Sequence, residues 1–135
     1  RNAVAPADRV LIVTTPEVSA VRDADRIVGL VEAGEKGPPK LIINRLNPAM
    51  VRREEMLSTV DVVEILAIDL IGVVPEDPAV IVSSNRGNPV SLDGKSPSGQ
   101  AFRNIAGRLL GQDIPIMPIK ESASVLDRLS RFLRG

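Results

Sequence analysis

Neither cysteine nor histidine occurs in the 135 residues, and tryptophan and tyrosine are missing as well. Without thiol or imidazole there is no disulfide, no thiolate nucleophile, no zinc site of the usual kind and no triad with a histidine base. Any reaction chemistry has to rest on carboxylates, lysine, or a bound nucleotide with its metal. Phe102 and Phe132 are the only aromatic residues; they offer no platform on which exposed bases could stack, so no nucleic-acid partner is expected. An excess of one charge is also lacking. Seventeen Lys and Arg balance seventeen Asp and Glu, and attraction to a polyanion must therefore be local. The most apolar stretch, Val60 to Val74, is interrupted by Asp61, Glu64 and Asp69, and a bilayer span needs roughly 20 apolar residues.

What is present suffices for one core-bearing domain, with 44% hydrophobic residues. The chain opens Arg1-Asn2-Ala3, with neither an initiating methionine nor a signal-peptide pattern, and reads as a processed product or a fragment. Three branched apolar runs, Arg9 to Thr14, Lys40 to Asn44 and Leu70 to Val74, have the character of buried parallel strands. A helix is expected from Val18 to Ala33, with Val21, Ala24, Val28 and Val31 on one face, a capping box in Thr14 to Glu17, and a stop at Gly34. A second is expected from Ser58 to Ala67, with Ser58 as N-cap and Val62, Ile65 and Leu66 apolar. Strand, helix and strand repeating in this way predict an α/β layered domain. Asp77 and Pro78 open a further helix that Gly87 would end, and Ser96 to Ser98 open the last one, with Ala101, Phe102, Ile105, Ala106 and Leu109 facing inward. Three strands leave a sheet face or edge uncovered, as in half of a larger domain.

At the end of the chain, Val125, Leu126, Leu129, Phe132 and Leu133 fall on one helical face, and Arg128, Arg131 and Arg134 run beside it. That is the pattern of a short basic amphipathic helix that lies on an anionic membrane. The proline-punctuated segment 114–121 separates this tail, residues 122–135, from a body over residues 1–113.

Asp93-Gly94-Lys95-Ser96 invites comparison with a phosphate-cradling loop. The pattern requires glycine where Pro89 stands, a strand directly before it and an amide where Pro97 has none, so a phosphate site is not expected there. Asn44-Arg45 and Pro75-Glu76-Asp77 end the second and third strands, where ligand crevices form in open parallel sheets. Asn44 could present a donor and an acceptor to a purine edge, or be only a turn residue, as Asp77 could be only a helix cap. Glu17, Ser19, Asp23 and Asp25 sit after the first strand and fit either a binding face or a solvated helix surface.

Together, Val13-Thr-Thr-Pro-Glu-Val-Ser-Ala-Val-Arg-Asp-Ala-Asp-Arg26, Leu41-Ile-Ile-Asn-Arg-Leu46, Gly72-Val-Val-Pro-Glu-Asp77, Asn85-Arg-Gly-Asn-Pro89 and the basic amphipathic end resemble, in order over nearly the whole chain, the C-terminal half of the ParA/MinD family of deviant P-loop ATPases. The first string and the tail favour the septum-placing branch over the DNA-partitioning one. The resemblance implies a mostly parallel-sheet P-loop NTPase-type domain followed by an amphipathic C-terminal helix. It also implies ATP with Mg2+ as cofactor, an ATP-bound homodimer, a MinC-like inhibitor and a MinE-like regulator as partners, and a peripheral position on the inner face of the cell membrane, or in the stroma or at the inner envelope of a plastid. Adenine would be held by Asn44, Arg45, Pro75, Glu76 and Asp77, and the partner- and dimer-facing helix would present Glu17, Ser19, Asp23 and Asp25. Membrane contact would fall to Val125, Leu126, Arg128, Leu129, Arg131, Phe132, Leu133 and Arg134. The phosphate loop with its lysines and the metal-coordinating aspartate belong to the N-terminal half, so no catalytic residue or metal ligand is expected in this chain, which alone should be inactive. The alternatives are a non-catalytic membrane-docking scaffold and a partitioning or flagellar-placement relative.

Overall fold

A computed structural model describes residues 4–34, 36–116 and 119; the amphipathic tail lies outside them. In chain order the elements are β1 (Leu11–Thr14), α1 (Val18–Ala33), β2 (Lys40–Leu46), α2 (Pro48–Arg52), α3 (Thr59–Leu66), β3 (Asp69–Pro75), α4 (Pro78–Asn85), a 3-10 turn (Val90–Leu92) and α5 (Pro97–Leu109). Among the described residues the strands form one parallel sheet in the order β1-β2-β3.

β2 is central because its side chains serve both faces. Leu41, Ile43 and Leu46 point into a core built with Ile12, with Val21, Ala24, Val28 and Val31 of α1, and with Val62 and Leu66 of α3. The intervening Ile42 points the other way, to Ile71, Val74 and Ile105 of α5. Side chains alternate across a strand, so α1 and α3 cover one face and α5 the other. α5 can come close because Gly72 has no side chain: a Cβ there would lie 2.2 Å from Ile105 Cγ1. Arg108 then ties the chain beyond α5 to the sheet, its guanidinium donating to the carbonyls of Ile71 at 2.8 Å, Ile114 at 2.7 Å and Pro115 at 2.9 Å.

Covering is uneven. On the α5 side of β1, Leu11 is 37% and Val13 58% exposed, the uncovered face expected of a three-stranded sheet.

Local chemistry departs from expectation in three places. α1 begins at the predicted residue, yet the expected capping box is absent: its N-cap Glu17 makes no side-chain cap hydrogen bond, and the Thr14 hydroxyl donates to the Thr15 carbonyl. The true capping box is on α3, where the Ser58 hydroxyl accepts from Asp61 N and the Asp61 carboxylate accepts from Ser58 N. In α5, Ile105 is buried but Phe102 and Ala106 are exposed. That helix lies mainly over β3 and reaches β2 at Ile42, and the described sheet is too narrow to cover its full apolar stripe. α2 was not anticipated; Asn47 caps it by accepting from the amides of Ala49 and Met50.

Candidate nucleotide-base site

The helices change faces after β3: α1 and α3 follow β1 and β2 on one side, and α5 lies on the other. In open parallel sheets the ligand crevice forms outside the carboxyl ends of the strands where the winding reverses, which directs attention to Asn44-Arg45 and Pro75-Glu76-Asp77.

The strand ends are stitched together. The register of β2 with β3 shifts between Leu41 and Ile42 and again between Ile43 and Leu46, and Arg45 takes φ 57°, a left-handed conformation uncommon outside glycine. The Asn44 carboxamide oxygen accepts from Arg45 N at 3.0 Å, and its Nδ2 donates no hydrogen bond among the described residues. Across the gap, Glu76 N donates to the Leu46 carbonyl at 2.9 Å and Asn47 Nδ2 donates to Glu76 Oε2 at 3.0 Å, while Arg45 Nη2 lies 4.0 Å from Glu76 Oε1. Asn47 thus belongs to this cluster although sequence reasoning omitted it. Its position beside Pro48 at a helix start was the available signal.

Asp77 caps α4 through Ala79 N at 2.9 Å, as predicted, and does more. Its other carboxylate oxygen accepts from the Ser96 hydroxyl at 2.6 Å, the Ser98 hydroxyl at 2.9 Å and Ser98 N at 3.3 Å. Hydrogen bonding to the charged form, from the Ser96 hydroxyl first and then Ala79 N, brings its pKa down from 3.8 to about 2. Asp93-Gly94-Lys95-Ser96 is the entry to α5, with Asp93 Oδ1 accepting from Lys95 N and the Ser96 hydroxyl accepting from Gly99 N.

Glu17, Ser19, Asp23 and Asp25 are exposed on α1, and Asp23 lies 3.7 Å from Arg26. Glu17 also borders a cleft of about 480 Å³ shared with Pro16, Val51, Glu54, Met56 and Ser58, so α1 and the α2–α3 connection form one surface. Among the described residues no group of three His, Cys, Asp or Glu side chains could share a metal ion, and no helix is long and apolar enough to cross a membrane.

A parallel α/β sheet with helices on both faces and loops gathered at the carboxyl ends of its strands has the fold of a P-loop NTPase-type domain. The septum site-determining protein MinD of Synechocystis sp. is 50% identical over the whole chain, which spans 52% of that protein. A chain of the solved MinC:MinD cell division protein complex of Aquifex aeolicus is 48% identical with a TM-score of 0.83, covering 86% of this chain and 48% of that one. MinD with Mg-ADP from Pyrococcus horikoshii, 23% identical, shares the fold with a TM-score of 0.68 over 80% of this chain and 45% of that one. Relatives named MinD match nearly the whole chain at 44–52% identity, and the chain corresponds to a C-terminal portion of MinD. It spans about half the length of the curated relatives it matches. No protein-family model matches it.

Proposed function

We propose that this chain supplies the base-binding half of a MinD-type ATPase that places the division septum. The observation that carries this reading is the convergence of Asn44-Arg45 and Pro75-Glu76-Asp77 at adjacent strand ends, bridged by Asn47 and Glu76. Adenine meets Asn44 Nδ2 and the main chain of the β3–α4 loop, since the Glu76 and Asp77 side chains are engaged within the protein. The Mg-ADP of the Pyrococcus horikoshii relative supports a magnesium nucleotide as the ligand. Phosphate and metal chemistry is assigned to residues outside this chain, which alone does not turn over ATP.

The exposed Glu17, Ser19, Asp23 and Asp25 face a second copy and regulators of MinC and MinE type, a reading supported by the MinC complex of the Aquifex aeolicus relative. The segment 114–121 is a linker, and the tail holds the protein on the inner face of the membrane.

The test is calorimetric titration of the full-length protein carrying this chain. Asn44→Ala should weaken ATP binding by about 1–2 kcal/mol, the scale of one buried neutral hydrogen-bonding group, and should reduce the preference for ATP over GTP. Unchanged affinity and unchanged preference would make Asn44 a turn residue. A parent protein that binds no nucleotide would favour the scaffold alternative.

A further inference from the structure

Of the side chains in the two base loops, Asp77 has the most hydrogen-bond donors around it and the least freedom to meet a ligand. One oxygen caps α4, and the other receives two hydroxyls and an amide from the start of α5, 19 and 21 residues away in sequence. The two hydroxyls are deeply placed: Ser98 is 0% and Ser96 5% exposed, and their oxygens are 2.9 Å apart. Ser96 also accepts from Gly99 N, so the same hydroxyl that donates to Asp77 caps α5. Gly99 fixes the far side. A Cβ there would lie 2.4 Å from the Val90 carbonyl oxygen and 3.0 Å from that of Asp93, so the turn before α5 lies directly on the helix start. Arg103 reinforces the turn by donating to the carbonyls of Ser91 and Asp93.

We propose that Ser96 and Ser98 are positioning residues for nucleotide-base selection: through Asp77 they lock the loop Pro75–Asp77 against α5, so that the loop's main chain reads the base from a fixed position. This rests on the base-site reading above. The loop is then held from two sides, by β2 and Asn47 through Glu76, and by α5 through Asp77. α5 is itself set on the sheet by the contact of Ile105 with Gly72. A main chain so fixed can discriminate between purines by geometry, whereas a loop free to shift would accommodate either edge.

The experiment titrates the full-length protein with ATP, GTP and tripolyphosphate, comparing the parent, Asn44→Ala, Ser98→Ala, the double variant Ser96→Ala/Ser98→Ala, and Ser96→Thr. Positioning predicts that the double variant binds ATP about tenfold more weakly, on the scale of one or two lost hydrogen bonds to a charged group. Its ATP-to-GTP preference should narrow while tripolyphosphate affinity stays at the parental value, and Ser96→Thr, which keeps a capping hydroxyl, should retain the preference. A lowered melting temperature with an unchanged ATP-to-GTP ratio would show a purely structural knot and overturn the proposal. Should the double variant fail to fold, Ser98→Ala is judged by the same ratio. A parent without base preference, or one indifferent to Asn44→Ala, would instead remove the base-site reading and this proposal with it.

Discussion

Asp77 shows how one carboxylate acquires a role beyond its local context. Its folded-state pKa of about 2 lies below its ordinary 3.8. Its contribution to stability is therefore complete above the ordinary value and is lost as pH falls through about 2. Melting temperature followed from neutral pH downward should be lower for Asp77→Asn than for the parent at neutral pH, with the two curves drawing together toward about pH 2. Parallel curves over that range would mean that the ionised carboxylate adds nothing to folding. The sequence disclosed the local part of this arrangement, because Asp before Pro at a helix start signals a cap. The partnership with Ser96 and Ser98 spans 19 and 21 residues, a separation at which no periodicity constrains which residues meet. Asn44 is similar: its place at a strand end was legible, but the use of its oxygen to support a left-handed Arg45 was not.

Among the elements, the pairing of β3 with α5 is the most sensitive to side-chain volume. Gly72→Ala would put a methyl 2.2 Å from Ile105 Cγ1 and should destabilise the domain by about 1–3 kcal/mol, the usual cost of overpacking. Ile105→Ala alone should cost about 2–5 kcal/mol by leaving a cavity. The double variant should be more stable than the sum of the two effects, because the new methyl enters the space that isoleucine vacates. Denaturant unfolding of the four proteins tests this, and strict additivity would show that the two residues do not share that space. The span and buried face of α1 were legible because its buried positions repeat at helical spacing, with Val21, Ala24, Val28 and Val31 buried as expected, although its expected capping box was not formed. α5 was legible in position but only partly in facing. Its stripe is wider than the sheet beneath it, and width is a property of tertiary structure that a helical period does not encode. α2 escaped notice because five residues do not complete a periodic signal.

For the whole molecule, the proposed membrane function depends on how many tails act together. From Val125 to Arg134 three arginines against Asp127 leave a net charge of +2, and each basic residue near an anionic surface contributes about 1 kcal/mol. On the proposed reading, one such tail would bind weakly, whereas two on an ATP-bound dimer would make the second insertion intramolecular, so that membrane attachment would report the nucleotide state. In the full-length protein Leu129→Glu should abolish co-sedimentation with anionic vesicles in the presence of ATP, and Ser130→Glu should weaken it much less. Continued sedimentation of Leu129→Glu would exclude the tail as the anchor.

The central place of β2 has a consequence in time. From Lys40 to Ile43 it is paired with β1 on one side and β3 on the other, and Leu41, Ile43 and Leu46 have no exposed surface, so freeing all of its amides requires release from both neighbouring strands. Local openings elsewhere, at the ends of α4 or along the edge of β1 that has no partner strand among the described residues, leave the amides between β2 and β3 closed. In deuterated water the β2 amides should therefore exchange last, at a rate governed by global unfolding, while β1 exchanges earlier despite its similar composition. Exchange of β2 and β1 at equal rates would mean that the sheet opens as a single unit, and that its middle strand holds no kinetic reserve.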